Sequence, residues 1–428
     1  MIPQDGLEAR FAARMGALLG PEFPAEIALA VSGGGDSMTM LALAHGWARG
    51  MGVRLSVVTI DHGLRDGSAA EAAMVAHECA ALGHRHAILR WHWDGTGNLQ
   101  DAARNARLAL IDGWRGDVGH VLFAHTRDDQ AETLLLRLAR GSGVDGLAAM
   151  SDRRFVTPAA ASRGFWQVRP LLEETRADLR HHADTLRLPY MDDPSNDDPR
   201  FDRVRARKAL AVLGDLGLDA AALSGTAARM ARARAALVAR AVSVAPDLLR
   251  PGPADGADLV LDRDTLARLE RDTQMRLLAA ALQWVGGTVY RPRAAALERL
   301  LDRALAGAGG TLHGAQLAVG RASIRVFREY RAVREIRGIA GQGTLWDGMW
   351  EVGGPAVDGL SLRALGPDGW AQIPDAARDL VPHDAALARP AVFDGPRLVA
   401  CAALAHGPAH GARLHRLAES FVTFLQFR

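Results

Sequence analysis

The 428-residue sequence contains a single lysine, Lys208; every other basic side chain except histidine is arginine. A Walker A phosphate loop needs a lysine followed by Ser or Thr directly after its last glycine. Lys208 is followed by Ala209, so that class of nucleotide site is excluded. Cysteine is almost as scarce. Cys79 and Cys401 stand far apart, which rules out a disulfide framework, a CxxC pair and a cysteine zinc site, and fits a reducing cytoplasm. No apolar run approaches the roughly 20 residues of a membrane-spanning helix. The opening "MIPQDGLEARFAARMG" is acidic early and has no apolar signal core, so it reads as a first helix. A net charge of +2 does not by itself demand a nucleic-acid partner.

What the chain does have is alternation. "EIALAVS", "RLSVVTIDHG", "HRHAILRW" and "HVLFAHT" are short apolar runs, and each is followed by a helical pattern. That order predicts an α/β fold with a doubly wound, mostly parallel, Rossmann-like sheet over residues 1–215. Ligands in such sheets bind beyond the carboxyl ends of the strands. Polar residues gather there, at Ser32–Ser37, Asp61–Arg65 and His125–Glu132. A proline-punctuated loop, "DDPSNDDPRFDRVRARKAL", closes this region. Residues 216–340 read as a mainly helical domain, and 341–428 as a small mixed α/β domain rich in glycine and proline.

The first strand runs into "SGGGDS". Glycines between a strand and a helix let a phosphate approach free amides at the helix N-terminus. A dinucleotide fingerprint would need a third spaced glycine, which is absent. The plain alternative is a tight turn with Asp36 and Ser37 capping the helix. This element resembles the PP-loop of the N-type ATP pyrophosphatases, which cut ATP between its α- and β-phosphates. That resemblance implies that Ser32, Gly33, Gly34, Gly35 and Ser37 cradle phosphate and that Asp36 lies beside Mg²⁺.

Further motifs follow in order: "TIDHGLR", "AHTRDDQAET", "RGSGVDGLAAM", "VRPLL" and "DDPSNDDPRFDRVRAR". Together they resemble the tRNA(Ile)-lysidine synthetase family, clearly over residues 20–215 and more weakly through the last domain. One departure is Val204, where the family commonly has asparagine; it leaves the roles of Arg203 and Arg205 open. The resemblance implies a cytoplasmic, ATP-using ligase. It would adenylate the wobble cytidine of a CAU-anticodon tRNA(Ile), then let free L-lysine displace AMP. It implies no membrane partner, and a homodimer is compatible with it.

The residues fit that chemistry. A lysine amine, with a pKa of about 10.4, arrives as an ammonium. Asp129 and Glu132 are placed to hold it. His125 or one of these carboxylates is the candidate proton acceptor, the three lying at i, i+4 and i+7 if the helix starts near Asp128. An acidic helix N-terminus favoured by the dipole is the plainer reading, and Asp128 suits it. The resemblance further implies Arg104, with Arg107 as its competitor, as the ATP-side arginine, and Arg205 as a second catalytic arginine; a solvated helix face is the plainer reading of Arg104. Asp61, His62 and Arg65 could close over the nucleotide. Arginines between 200 and 240 could meet tRNA phosphates, and Trp346, Trp350 and Trp370 read as core. A tRNA sulfurtransferase is the alternative, weakened by the lack of paired cysteines.

Overall fold

The computed structural model describes residues 6–426 apart from 62, 64–66, 94, 96–98, 157–163, 193–197, 199, 289, 342, 344, 409 and 417. The chain divides into two compact units, Met1–Arg234 and Ala235–Arg428. Among the described residues no helix is long and apolar enough to cross a membrane.

The first unit opens with α1 (Leu7–Leu19) and then alternates: β1 (Glu26–Ala30), α2 (Gly35–Met51), β2 (Arg54–Asp61), α3 (Ser68–Ala81), β3 (Arg85–Arg90), α4 (Leu99–Trp114), β4 (His120–Phe123) and α5 (Arg127–Ala139). Next come α6 (Val144–Leu147), β5 (Arg153–Val156), β6 (Phe165–Val168), α7 (Arg176–Leu186), α8 (Asp202–Gly214) and α9 (Ala220–Leu248), which runs on into the second unit. The four strands read from the sequence are present, as are the helices that follow them. The strand order is β3-β2-β1-β4-β6-β5, and all pairs are parallel except β5 with β6.

Both faces of the sheet are covered. Ile27 and Leu29 of β1 pack with α1 and α2 residues such as Phe11, Met15 and Met40. Ala28, between them, packs on the opposite side with Ile111 of α4 and with Val121 and Phe123. That is the period-2 alternation of a strand buried on both faces. The chain leaves β1 toward β2 on one side and takes up β4 on the other. The segments after β1 and β4 therefore share the crevice where strand order reverses.

The second unit mixes helices with antiparallel sheet. Helices Arg271–Gly286 and Ala294–Leu305 belong to one apolar core. Five short strands, Leu249–Arg250, Leu259–Asp262, Gly310–Leu312, Ala315–Val319 and Ser323–Arg328, form a sheet within this largely helical stretch. A four-stranded and a three-stranded sheet follow. Trp346 and Trp350 are buried in their core, as the sequence suggests.

Candidate active site

A cavity of about 810 Å³ opens at the carboxyl edge of β1, β2 and β4. Ser32, Gly34, Gly35, Asp36 and Ser37 line one side. The loop is held by its own hydroxyls. The Ser32 amide donates to Ser37 Oγ at 3.2 Å, and Ser37 Oγ donates to the Gly34 carbonyl at 2.9 Å. Gly33 has φ +93°, a region that L side chains rarely adopt, and its carbonyl accepts from the Met191 amide at 3.0 Å. Gly34 caps α2, so the first amides of a 17-residue helix face this edge without intrahelical partners. A Cβ on Gly35 would lie 3.3 Å from Arg180 Nη1, so the small residue leaves room for a guanidinium above the helix start.

Across the cavity, α5 begins with a capping box. Thr126 Oγ1 accepts from the Asp129 amide at 3.4 Å, and the Thr126 amide donates to Asp129 Oδ2 at 2.8 Å. The box leaves His125 outside the helix, one residue before the cap. Asp129 and Glu132 alone share a helix face. Asp128 does a different job: its carboxylate accepts the Arg176 amide at 2.8 Å and so ties the start of α5 to the start of α7.

Three arginines meet these carboxylates. Arg176 lies 3.3 Å from Asp36, 3.4 Å from Asp129 and 3.5 Å from Glu132. Arg203 reaches Asp129 at 3.1 Å and Arg207 reaches Glu132 at 3.0 Å. Glu132 is 1% exposed, and its second oxygen has no protein partner among the described residues. Arg180 holds Asp192 through both terminal guanidinium nitrogens, and both residues line the cavity.

The electrostatics follow from this crowding. Burial, helped by repulsion from Asp129 and Asp128, pushes Asp36 up to about 6 although Arg176 opposes it. For Asp129 burial also opposes ionisation, but His125, Arg203, Arg176 and the Thr126 amide together hold its carboxyl below the ordinary range. Burial lowers the His125 imidazole, and Arg169, Arg203 and Arg107 lower it further against the pull of Asp129. The ring stacks on Phe123 with centroids 6.1 Å apart. Burial works against the charge on Arg176, yet Asp129, Asp36 and Glu132 raise its pKa above the ordinary value.

The sequence-derived residues therefore separate. Ser32, Gly34, Gly35, Asp36, Ser37, His125 and Asp129 line the cavity, Gly33 shapes its loop, and Glu132 adjoins it through Arg176 and Arg207. Arg107 lines the cavity whereas Arg104 is exposed one helical turn away. Arg203 and Arg207 reach the α5 carboxylates Asp129 and Glu132, whereas Arg205, two residues from each, pairs with Asp202 of its own helix. Asp61 folds back on its own turn, accepting the Gly63 amide at 2.9 Å, and is not part of the lining. His62 and Arg65 lie outside the described residues. Arg176, Arg180 and Asp192 were not singled out from the sequence. Only the proline-punctuated loop that Asp192 opens marks the neighbourhood of one of them.

Asp36 is the metal candidate. Among the described residues no group of three His, Cys, Asp or Glu could hold a metal. A divalent ion would have to share Asp36 with phosphate oxygens. A carboxylate whose ionisation is opposed by burial and by neighbouring carboxylates suits such a cation.

These features define an ATP-using PP-loop enzyme: a glycine loop at a helix N-terminus, at the switch point of a parallel sheet, facing a carboxylate cluster. The PP-loop domain family model matches residues 7–213. The tRNA(Ile)-lysidine synthase of Ruegeria pomeroyi is 44% identical over 390 residues, covering 90% of each chain. That of a Bradyrhizobium species is 39% identical over 324 residues, covering 70% of this chain and 89% of its own. The chain belongs to the tRNA(Ile)-lysidine synthase family. Among solved structures, the U34-tRNA thiolase NcsA of Methanococcus maripaludis, with its [4Fe-4S] cluster, is similar at 16% identity and TM-score 0.42. That match covers 52% of this chain and 76% of the thiolase.

Proposed function

We propose that the chain joins L-lysine to C2 of the wobble cytidine of a CAU-anticodon tRNA(Ile), consuming ATP and releasing AMP and pyrophosphate. The supporting observation is the pairing of a phosphate loop with Asp36 and Asp129 around one cavity, with Glu132 joined to them through Arg176.

In the first step the cytidine C2 oxygen attacks the α-phosphate of ATP. An O–P bond forms, the bond to the β-phosphate breaks, and pyrophosphate leaves. The Gly34, Gly35 and Asp36 amides and the α2 dipole seat the phosphates. Asp36 would hold Mg²⁺, which would neutralise phosphate charge. Arg107 and Arg180, both in the lining, supply positive charge from the protein. In the second step the lysine ε-amine attacks C2. A C–N bond forms, the C–O bond breaks with its electron pair going to AMP, and the ammonium loses one proton to solvent before attack and a second after it. Asp129 and Glu132 bind the incoming ammonium. The lowered pKa values of His125 and Asp129 make both weak proton acceptors at neutral pH.

The sulfurtransferase alternative is disfavoured by the thiols. Burial, with the Glu78 charge beside it, pushes Cys79 up to about 12; burial pushes Cys401 up to about 11. Neither forms the thiolate that sulfur transfer needs. Pyrophosphate release tests the reading. It should require ATP and the CAU tRNA together and vanish in Asp36→Ala. Release that ignores the tRNA would contradict it.

A further inference from the structure

Arg176 is delivered from a fixed point. Its amide is held by Asp128, and one step earlier the Arg127 amide donates to the Glu174 carbonyl at 2.8 Å. Thr175, which caps α7, accepts from the Asp178 amide at 3.0 Å. From this anchor the guanidinium spreads its three nitrogens over three carboxylates on two elements: Nε to Asp36, Nη2 to Asp129 and Nη1 to Glu132. All three distances, 3.3 to 3.5 Å, are longer than the 2.7–2.9 Å of a committed charge-assisted hydrogen bond. The cation is shared among partners. Asp129 and Glu132 also have closer arginines, at 3.1 and 3.0 Å.

On the reading above, Asp36 stands on the nucleotide side and Asp129 with Glu132 on the amine side. This inference rests on that reading. An ammonium docking on Asp129 and Glu132 displaces Arg176 from two of its three partners. The released guanidinium lies beside Asp36, next to the phosphate loop, where a nucleotide's phosphates offer replacement oxygens. The converse holds as well: phosphates that draw Arg176 toward the loop vacate the carboxylates for the ammonium. We propose that Arg176 is a positioning residue that couples the two substrate sites, exchanging the Asp129 and Glu132 carboxylates for nucleotide phosphates as lysine binds.

Thermodynamic linkage makes such coupling reciprocal. Calorimetric titration of the full chain with α,β-methylene-ATP and magnesium, with and without saturating L-lysine, measures it directly. Wild type should bind the analogue about fivefold or more tightly when lysine is present, and lysine should gain the same factor from the analogue. Arg176→Gln should still bind both ligands, with the mutual effect reduced to about twofold or less. Arg176→Lys keeps the charge but loses the planar fork, and should show intermediate coupling. A merely structural role would weaken both affinities and leave their ratio unchanged. The proposal is overturned if wild type binds both ligands independently. It is equally overturned if either variant retains the full wild-type coupling, so the lysine variant decides the matter should the glutamine variant not fold. Failure of wild type to bind lysine with or without the analogue would instead overturn the assignment of the amine site, and the coupling with it.

Discussion

Asp36 carries opposing demands. Its folded pKa of about 6 lies above the ordinary 3.8. The folded state therefore binds this proton more tightly than the unfolded state does. The stabilisation is complete below pH 3.8 and is lost as pH rises through 6. Above pH 6 the ionised carboxylate costs stability, at most about 3 kcal/mol for a rise of about two pH units at about 1.4 kcal/mol each. Asp36→Asn should accordingly raise Tm at pH 8 and leave it unchanged near pH 3.5, while abolishing tRNA-dependent pyrophosphate release. Thermal unfolding at the two pH values checks the first part; a variant destabilised at pH 8 would contradict it. On the amine side, Glu132→Ala should raise the KM for lysine tenfold or more and the KM for ATP far less. Equal effects on both would remove Glu132 from the amine site. The glycine loop and the acidic pair were legible because each is contiguous in sequence and has its own backbone chemistry. Arg176 was not, because its partners lie up to 140 residues away. No local pattern encodes a contact of that span.

The capped helices are what bring the site together. The Thr126 capping box both starts α5 and fixes Asp129 Oδ2, leaving Oδ1 to the arginines. Thr126→Ala should cost about 1 kcal/mol as a lost cap. It should also raise the KM for lysine, because Asp129 Oδ2 loses the Thr126 hydroxyl at 3.1 Å and keeps only the backbone amide. A cap that is only structural would lower Tm and leave the KM unmoved. The same capping explains why His125 does not continue the helical stripe with Asp129 and Glu132: a β-region cap residue intervenes. Helix geometry also sorts the arginines of α8. Arg203 and Arg207 are four residues apart and share a face, whereas Arg205 falls on another. That spacing was readable, but the side of α8 that would face α5 was not. The five strands of the first sheet in the second unit are two to six residues long. Runs that short carry too little alternation to stand out from the helices around them.

At the scale of the whole molecule, scarcity shapes the chemistry. Both thiols are buried, so alkylation of the native chain with iodoacetamide should modify neither Cys79 nor Cys401 and leave activity intact. Loss of activity on modification would revive a sulfur-carrying role. The cations seated on the amine-site carboxylates are all arginines, permanently charged and fork-shaped, whereas the proposed substrate brings a compact ammonium. The central claim is tested most directly by incubating the protein with ATP, Mg²⁺, radiolabelled L-lysine and a CAU-anticodon tRNA(Ile) transcript. The account predicts acid-precipitable label that survives mild base, which strips aminoacyl esters but not a lysine bonded to a base. Pyrophosphate release with no stable label would contradict lysine as the nucleophile.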